Sequence, residues 1–263
     1  MNELSKNQIS FLQEQQKRKR HIMISKLCIL FLFLGIWEVS ANLGIIDSFF
    51  FSSPSRIIVL LIEMMVDGSI FHHIGITVLE TLISFFLVVL ISILAAMFLW
   101  SCPRIATILE PYLVVLNSLP KSALAPLLIV WLGTGMTTII VAGISVAIFG
   151  SIINLYTAFI QVDNDKAKLI YTLGGKRFDV LKKLILPGSI PTILSTMKVN
   201  IGLSLVGVII GEFLAARAGL GYLIIYSSQV FQLNTLILSI LLLCALAMLL
   251  YQLLCFIEKK YTH

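Results

Sequence analysis

Four histidines, four cysteines and a few acidic side chains in apolar surroundings are the residues of this chain with chemistry to offer. His21, His72, His73 and His263 all lie outside the long apolar runs, and none belongs to a His-Glu-x-x-His spacing. His72 and His73 are adjacent, so a helix would turn them to different faces; polar interface residues are expected there, not metal ligands. Cys28, Cys102, Cys244 and Cys255 are scattered over apolar runs and one loop without metal spacing, and are expected to be buried free thiols. No Ser–His or Asp–Asp pairing within an apolar run supports an intramembrane protease or lipid hydrolase. Gly174-Gly175-Lys176-Arg177 has a superficial likeness to a phosphate loop. It lacks the upstream glycine and the Ser/Thr after lysine, and it follows no strand. The chain is therefore expected to be no enzyme, to hold no metal or cofactor and to bind no ATP itself. Glu80 and Glu212 are the carboxylates a proton relay would need, but both fall toward the ends of apolar runs. That argues against an autonomous channel or secondary transporter.

The elements that would position these residues are apolar helices. Of 263 residues, 59% are hydrophobic and 12% charged, against about 25% charged in a soluble domain, so the chain is an integral membrane protein. The net charge of +6 gathers in polar loops without an aromatic-lined basic groove, which excludes a nucleic-acid binder. Hydropathy and turn residues divide the chain into a basic segment, 1–22, and a transmembrane bundle, 23–263, of six spans. The spans cover about Ile22–Ile46, Ile76–Trp100, Leu109–Leu132, Thr138–Ile160, Ser189–Leu214 and Leu233–Phe256. Asp47 to Gly75 reads as an outer segment with an interfacial helix over 57–65. Ala215 to Phe231 reads as an outer loop turning at Gly219-Leu220-Gly221-Tyr222. Basic residues cluster at the N-terminus, Arg104, 161–187 and the C-terminus, which predicts a multi-pass protein of the cell membrane with both termini cytoplasmic.

Three spans hold unusual residues. The third carries Pro111, Pro120 and Pro126 with Asn117 and Lys121. Prolines there free backbone carbonyls, which are tolerated where protein or a water-filled cavity satisfies them, as along a transport path. The fifth contains Lys198, Asn200 and Glu212. An ammonium inside a span costs roughly 2.5–3.5 kcal/mol. Lys198 therefore either faces a path, where it favours an anionic substrate, or reaches back to the cytoplasmic headgroups.

The longest polar interruption, Gln161 to Pro187, is no ordinary loop. Leu169, Ile170 and Leu173 recur at helical spacing, Gly174-Gly175 breaks it, and Phe178, Leu181, Leu184 and Ile185 resume it. The pattern predicts two short amphipathic helices joined at the diglycine, with an apolar knob of Leu169, Leu173, Phe178 and Leu181 for docking another protein. Pro187 is expected to close the second helix, and Pro191 to open the next.

This stretch resembles the cytoplasmic loop of ABC importer permeases, written Glu-Ala-Ala, three residues, Gly, nine residues, Ile-x-Leu-Pro. Gly174, Leu186 and Pro187 fall on that pattern, and Leu184 stands in for the isoleucine. Lys168-Leu169-Ile170 replaces Glu-Ala-Ala. Ser53-Pro54-Ser55, Leu109–Gly135 and Gly211–Ile224 are similar to permeases of the nitrate, sulfonate, taurine and bicarbonate class. In that class Asn117-Ser118-Leu119-Pro120 usually reads Arg-x-Ile/Val-Pro and position 80 is usually basic, so two positive charges are missing near the expected path. The resemblance implies an all-α, six-helix, type I importer permease that moves a small polar or anionic solute, or alternatively a vitamin precursor, into the cytoplasm. It implies a second copy of the chain and two ATP-binding subunits that carry ATP and Mg. It also implies an extracytoplasmic substrate-binding protein, a lipid surround and alternating access driven by the ATPase pair. Coupling would fall to Lys168, Leu169, Leu173, Gly174, Phe178, Leu181, Leu186 and Pro187, and Asn117, Pro120, Lys198, Asn200 and Glu212 would line the path.

Overall fold

In an apolar medium a chain must pair its own backbone groups, and the long apolar runs do so as helices. The computed structural model describes residues 6–261, and all regular structure among them is helical. The described residues fall into two compact units divided between Glu63 and Met64.

The first unit holds α1 (Lys6–Asn42), α2 (Ser48–Phe51) and the start of α3 (Pro54–Val66). The apolar part of α1 runs from Arg20 to Asn42. Its one acidic interruption is satisfied locally: Glu38 accepts from the Ser55 N–H at 3.0 Å and the Ser55 hydroxyl at 2.8 Å. A helix does cover 57–65, as part of α3.

The second unit begins its long helices at α4 (Ser69–Ser101), so His72 and His73 lie inside a helix that starts before the expected Ile76. Asp67 caps this start, accepting from the Ser69 N–H at 2.9 Å and hydroxyl at 2.7 Å; these bonds hold its carboxyl below the usual range. Then come α5 (Pro103–Ser118), α6 (Lys121–Leu132), α7 (Met136–Ile160), α8 (Asn164–Thr172) and α9 (Arg177–Val180). A π-helical turn over Leu181–Ile185 leads into α10 (Leu186–Ala215), followed by α11 (Leu220–Gln229) and α12 (Leu233–Tyr261). Among the described residues five helices are long and apolar enough to cross a membrane, or six counting the bent pair α5–α6 as one span.

α4, α7 and α10 pack on one another at backbone distance. A Cβ on Gly207 would stand 2.7 Å from Gly143 Cα, and one on Gly143 would stand 2.6 Å from Ser84 Oγ. Small residues permit that approach where lipid offers helices no hydrophobic drive to associate. Polar clamps reinforce it: Asn200 Nδ2 donates to Ser151 Oγ at 2.8 Å and Asn154 Nδ2 to Thr196 Oγ1 at 2.6 Å. Phe85, Ile201, Leu205, Leu220, Leu223, Leu243 and Leu246 form a buried cluster that fastens α11 and α12 to α4 and α10.

Four expectations change. The third span is not one helix: α5 and α6 meet at 95° across Leu119–Pro120, while Pro111 and Pro126 stay inside their helices. Pro187 does not close a helix. The chain is helical without a break from Arg177 to Ala215. The widened turn at Leu181–Ile185 lies just ahead of the proline, where a missing N–H and a crowded carbonyl would otherwise disrupt the ladder. The expected outer loop 215–231 contains α11, whose Leu220, Gly221, Leu223 and Ser227 are buried. None of the four thiols is buried: Cys28 and Cys244 are exposed, and Cys102, in the break between α4 and α5, and Cys255 are intermediate.

Candidate functional site

At one end of α7 the 161–187 module takes shape from its own caps. Asp163 accepts from the Asp165 N–H at 2.9 Å and starts α8. The helix ends when Gly174 adopts φ +82, with its N–H on Tyr171 O at 3.0 Å and the Gly175 N–H on Ile170 O at 2.9 Å. That is a Schellman stop, which needs a left-handed residue. Asp179 Oδ2 accepts from the Lys176 N–H at 2.8 Å and opens α9.

The module is tied to the bundle on one side and bare on the other. Val180, Leu181 and Ile185 are buried against Ala96, Leu155 and Phe159. Arg177 donates to Trp100 O at 2.8 Å and lies 5.1 Å over the Trp100 ring. Trp100, at the end of α4, is an anchor that sequence reasoning missed. On the other side Leu169, Leu173 and Phe178 are 60%, 79% and 68% exposed. The apolar knob therefore lacks Leu181, which the helical turn points inward as an anchor. Leu186 is half-buried against the same core, Pro187 is exposed, and Lys168 pairs with Asp165 at 2.9 Å in solvent.

The five residues proposed to line a path are dispersed. Asn117 lies in the last turn of α5 against Gly150, while Pro120 sits in the break. The carbonyls freed there, Leu116 O at 2.9 Å and Asn117 O, accept from Lys121 Nζ. Lys198 forms an ion pair with Glu258 at 2.8 Å, joining α10 to α12. Asn200 is buried in its bond to Ser151.

Glu212 lies at the opposite end of the bundle, 1% exposed, as part of a ladder that the sequence did not reveal. Gly219 N–H donates to His73 Nδ1 at 3.0 Å, Leu220 N–H to Thr77 Oγ1 at 2.8 Å, and Gly221 N–H to Glu212 Oε2 at 2.5 Å. The Thr77 hydroxyl donates in turn to Glu212 Oε1 at 2.7 Å. Side chains of α4 and α10 thus satisfy the orphan amides at the N-terminus of α11, and a carboxylate meets the positive end of its dipole. There is no room for larger residues: a Cβ on Gly219 would lie 2.4 Å from the Glu212 carboxyl carbon. His73 also stacks on Tyr222 at 6.3 Å. Glu80, 2% exposed, is the side-chain neighbour of Glu212.

Helices long and apolar enough to cross a membrane thus carry an exposed apolar tip at one end of the bundle and a buried polar clamp at the other. The chain belongs to the family described as binding-protein-dependent transport system inner membrane component, whose sequence profile matches residues 88–257. It is 25% identical over 231 residues to a Bacillus subtilis (strain 168) protein named for aliphatic sulfonates transport, the permease protein SsuC, covering 88% of this chain and 84% of that one. It is 26% identical over 187 residues to the formylaminopyrimidine transport permease protein ThiX of Halalkalibacterium halodurans, covering 71% and 74%. A solved structure described as an inward-facing conformation of the MetNI methionine ABC transporter shares the fold, with a TM-score of 0.66 at 14% identity over 75% of this chain and 98% of that chain. The protein is the permease of an ABC importer, embedded in the cell membrane by several spans.

Proposed function

We propose that this permease imports a small organic solute as one of two copies, paired with two ATP-binding subunits and fed by an extracytoplasmic binding protein. The observation that carries the coupling is the bare triad Leu169, Leu173 and Phe178 on a module whose other face is anchored in the bundle. Burying each such side chain is worth about 1.5–3 kcal/mol, so three in one groove supply the core of a stable contact. ATP and Mg belong to the partner, and this subunit contributes no hydrolytic residue. Basic residues at Lys17, Arg18, Lys176, Arg177, Lys182 and Lys183 favour placing the module and both termini in the cytoplasm.

The relative named for sulfonates favours an anionic solute, the role for which Lys198 was considered. The one named for formylaminopyrimidine favours a second reading, a nitrogenous vitamin precursor. The buried Glu80 and Glu212 speak for the second. Pull-down of a nucleotide-binding subunit with the tagged full chain, followed by ATPase assay in reconstituted vesicles, tests the assembly. Recovery of the chain with no nucleotide-binding partner would overturn it.

A further inference from the structure

Beside the Glu212 ladder lies a cavity of about 550 Å³ between α4, the turn before α7, and the end of α10. Ile76, Leu79, Met136 and Ile139 give it apolar walls, and Glu80, buried, and Arg217, exposed, both line it. The volume and lining are those of a small-molecule site: mostly apolar, with few polar groups to fix orientation.

The two carboxyls are not equally provided for. Glu212 accepts from the Thr77 hydroxyl and the Gly221 N–H, at the positive end of α11, so its oxygens are compensated. Glu80 is as deeply buried and shares a side-chain hydrogen bond with Glu212, yet its Oε2 has no hydrogen-bond partner. Among the described residues no ion pair includes Glu80; Arg217 is exposed and forms none with it. A buried carboxyl oxygen without a donor is costly, and an ionisable residue at membrane depth marks a ligand path by default. An anionic head entering the buried end would meet the Glu80 carboxyl, with Glu212 behind it. A cation would be held.

We propose that this cavity binds the ammonium or amidinium head of a compact, largely apolar solute through Glu80. The inference rests on the permease reading for its transport meaning and deepens it by naming the solute's chemistry. A lipid headgroup that carries an amine offers the same chemistry as a free solute.

The test uses the full chain in nanodiscs of phosphatidylglycerol, with benzylamine and benzenesulfonate as probes of one ring and opposite charge. Saturation-transfer NMR should detect benzylamine and not benzenesulfonate. Glu80→Gln should weaken benzylamine at least about tenfold, as expected for losing a charged hydrogen-bonded partner. Ile76→Trp, which fills the cavity and leaves both carboxyls in place, should abolish binding too. Repeating the titration with phosphatidylethanolamine in the disc separates the sources: displacement of benzylamine assigns the site to a lipid amine, and unchanged binding to a free solute. Binding of benzenesulfonate equal to benzylamine, no binding of either, or an unaltered affinity in Glu80→Gln overturns the proposal. Recovery of the ATP-binding subunit with the same chain is scored separately, so the site and the importer assembly fail independently.

Discussion

Thr77 and Glu212 stand 135 positions apart along the chain, yet the threonine hydroxyl donates to Glu212 Oε1 across 2.7 Å while accepting from the Leu220 N–H. One buried hydroxyl therefore joins α4, α10 and α11. Thr77→Val keeps the shape and removes both bonds, which leaves an amide and a carboxyl oxygen short of partners. The expected cost is about 1–3 kcal/mol, read as a lower unfolding temperature of the purified chain, with Thr77→Ser restoring most of it. An unchanged melting temperature in the valine variant would show that α11 is held by apolar contacts alone.

Gly174 tests the module's turn. Nothing lies within 4 Å of a Cβ there, so crowding is not the issue; φ +82 is. Gly174→Val should insert normally in the membrane but misdirect α8, with reduced pull-down of the ATP-binding subunit and little ATPase stimulation. Gly174→Asn, which tolerates the left-handed region better, should retain more of both.

Leu173 and Leu181 should separate cleanly. Leu173 is 79% exposed, so Leu173→Ser is expected to leave the unfolding temperature nearly unchanged and weaken partner pull-down about tenfold or more. Leu181 is 5% exposed, so Leu181→Ala should destabilise the chain itself by about 2–5 kcal/mol. Equal effects on stability would refute the division of the module into an anchored and a docking face.

Lys198 and Glu258 form an interhelical pair. If the lysine serves that bridge, Lys198→Met lowers uptake, and exchanging the two charges (Lys198→Glu with Glu258→Lys) restores it. Failure of the exchange at normal expression would return Lys198 to the candidates for direct solute contact.

For orientation, a cysteine at Lys176 in a cysteine-free background should resist membrane-impermeant thiol reagents in intact cells, whereas one at Ala218 should react. Labelling of position 176 from outside would invert the topology.

Much of this was legible. The spacing from Gly174 to Leu186-Pro187, the exposed apolar positions around the diglycine and the long apolar runs are local patterns, and each appears as an element. What was hidden is what locality cannot carry. Gly219-Leu220-Gly221 reads as a turn, and the ten residues of α11 are too few to announce a buried helix. Their glycines mark the place where Glu212 approaches the backbone. Pro187 reads as a stop because the π-helical turn that accommodates it has no sequence flag. Leu181 shares the periodicity of Phe178, and only packing against Phe159 decides which of them faces inward.

The unbroken helical path from Arg177 to Ala215 has the geometry of a lever. Its 39 residues measure about 58 Å at 1.5 Å per residue. The gripping tip at Phe178 and the carboxylate clamp at Glu212 are thus parts of one rod. If the module couples to a partner as proposed, a push at the tip would reach the clamp as tilt, with no relay of side chains in between. The widened turn at Leu181–Ile185 sits next to the tip, so under the proposed coupling it is the place where the stroke would be passed on or absorbed.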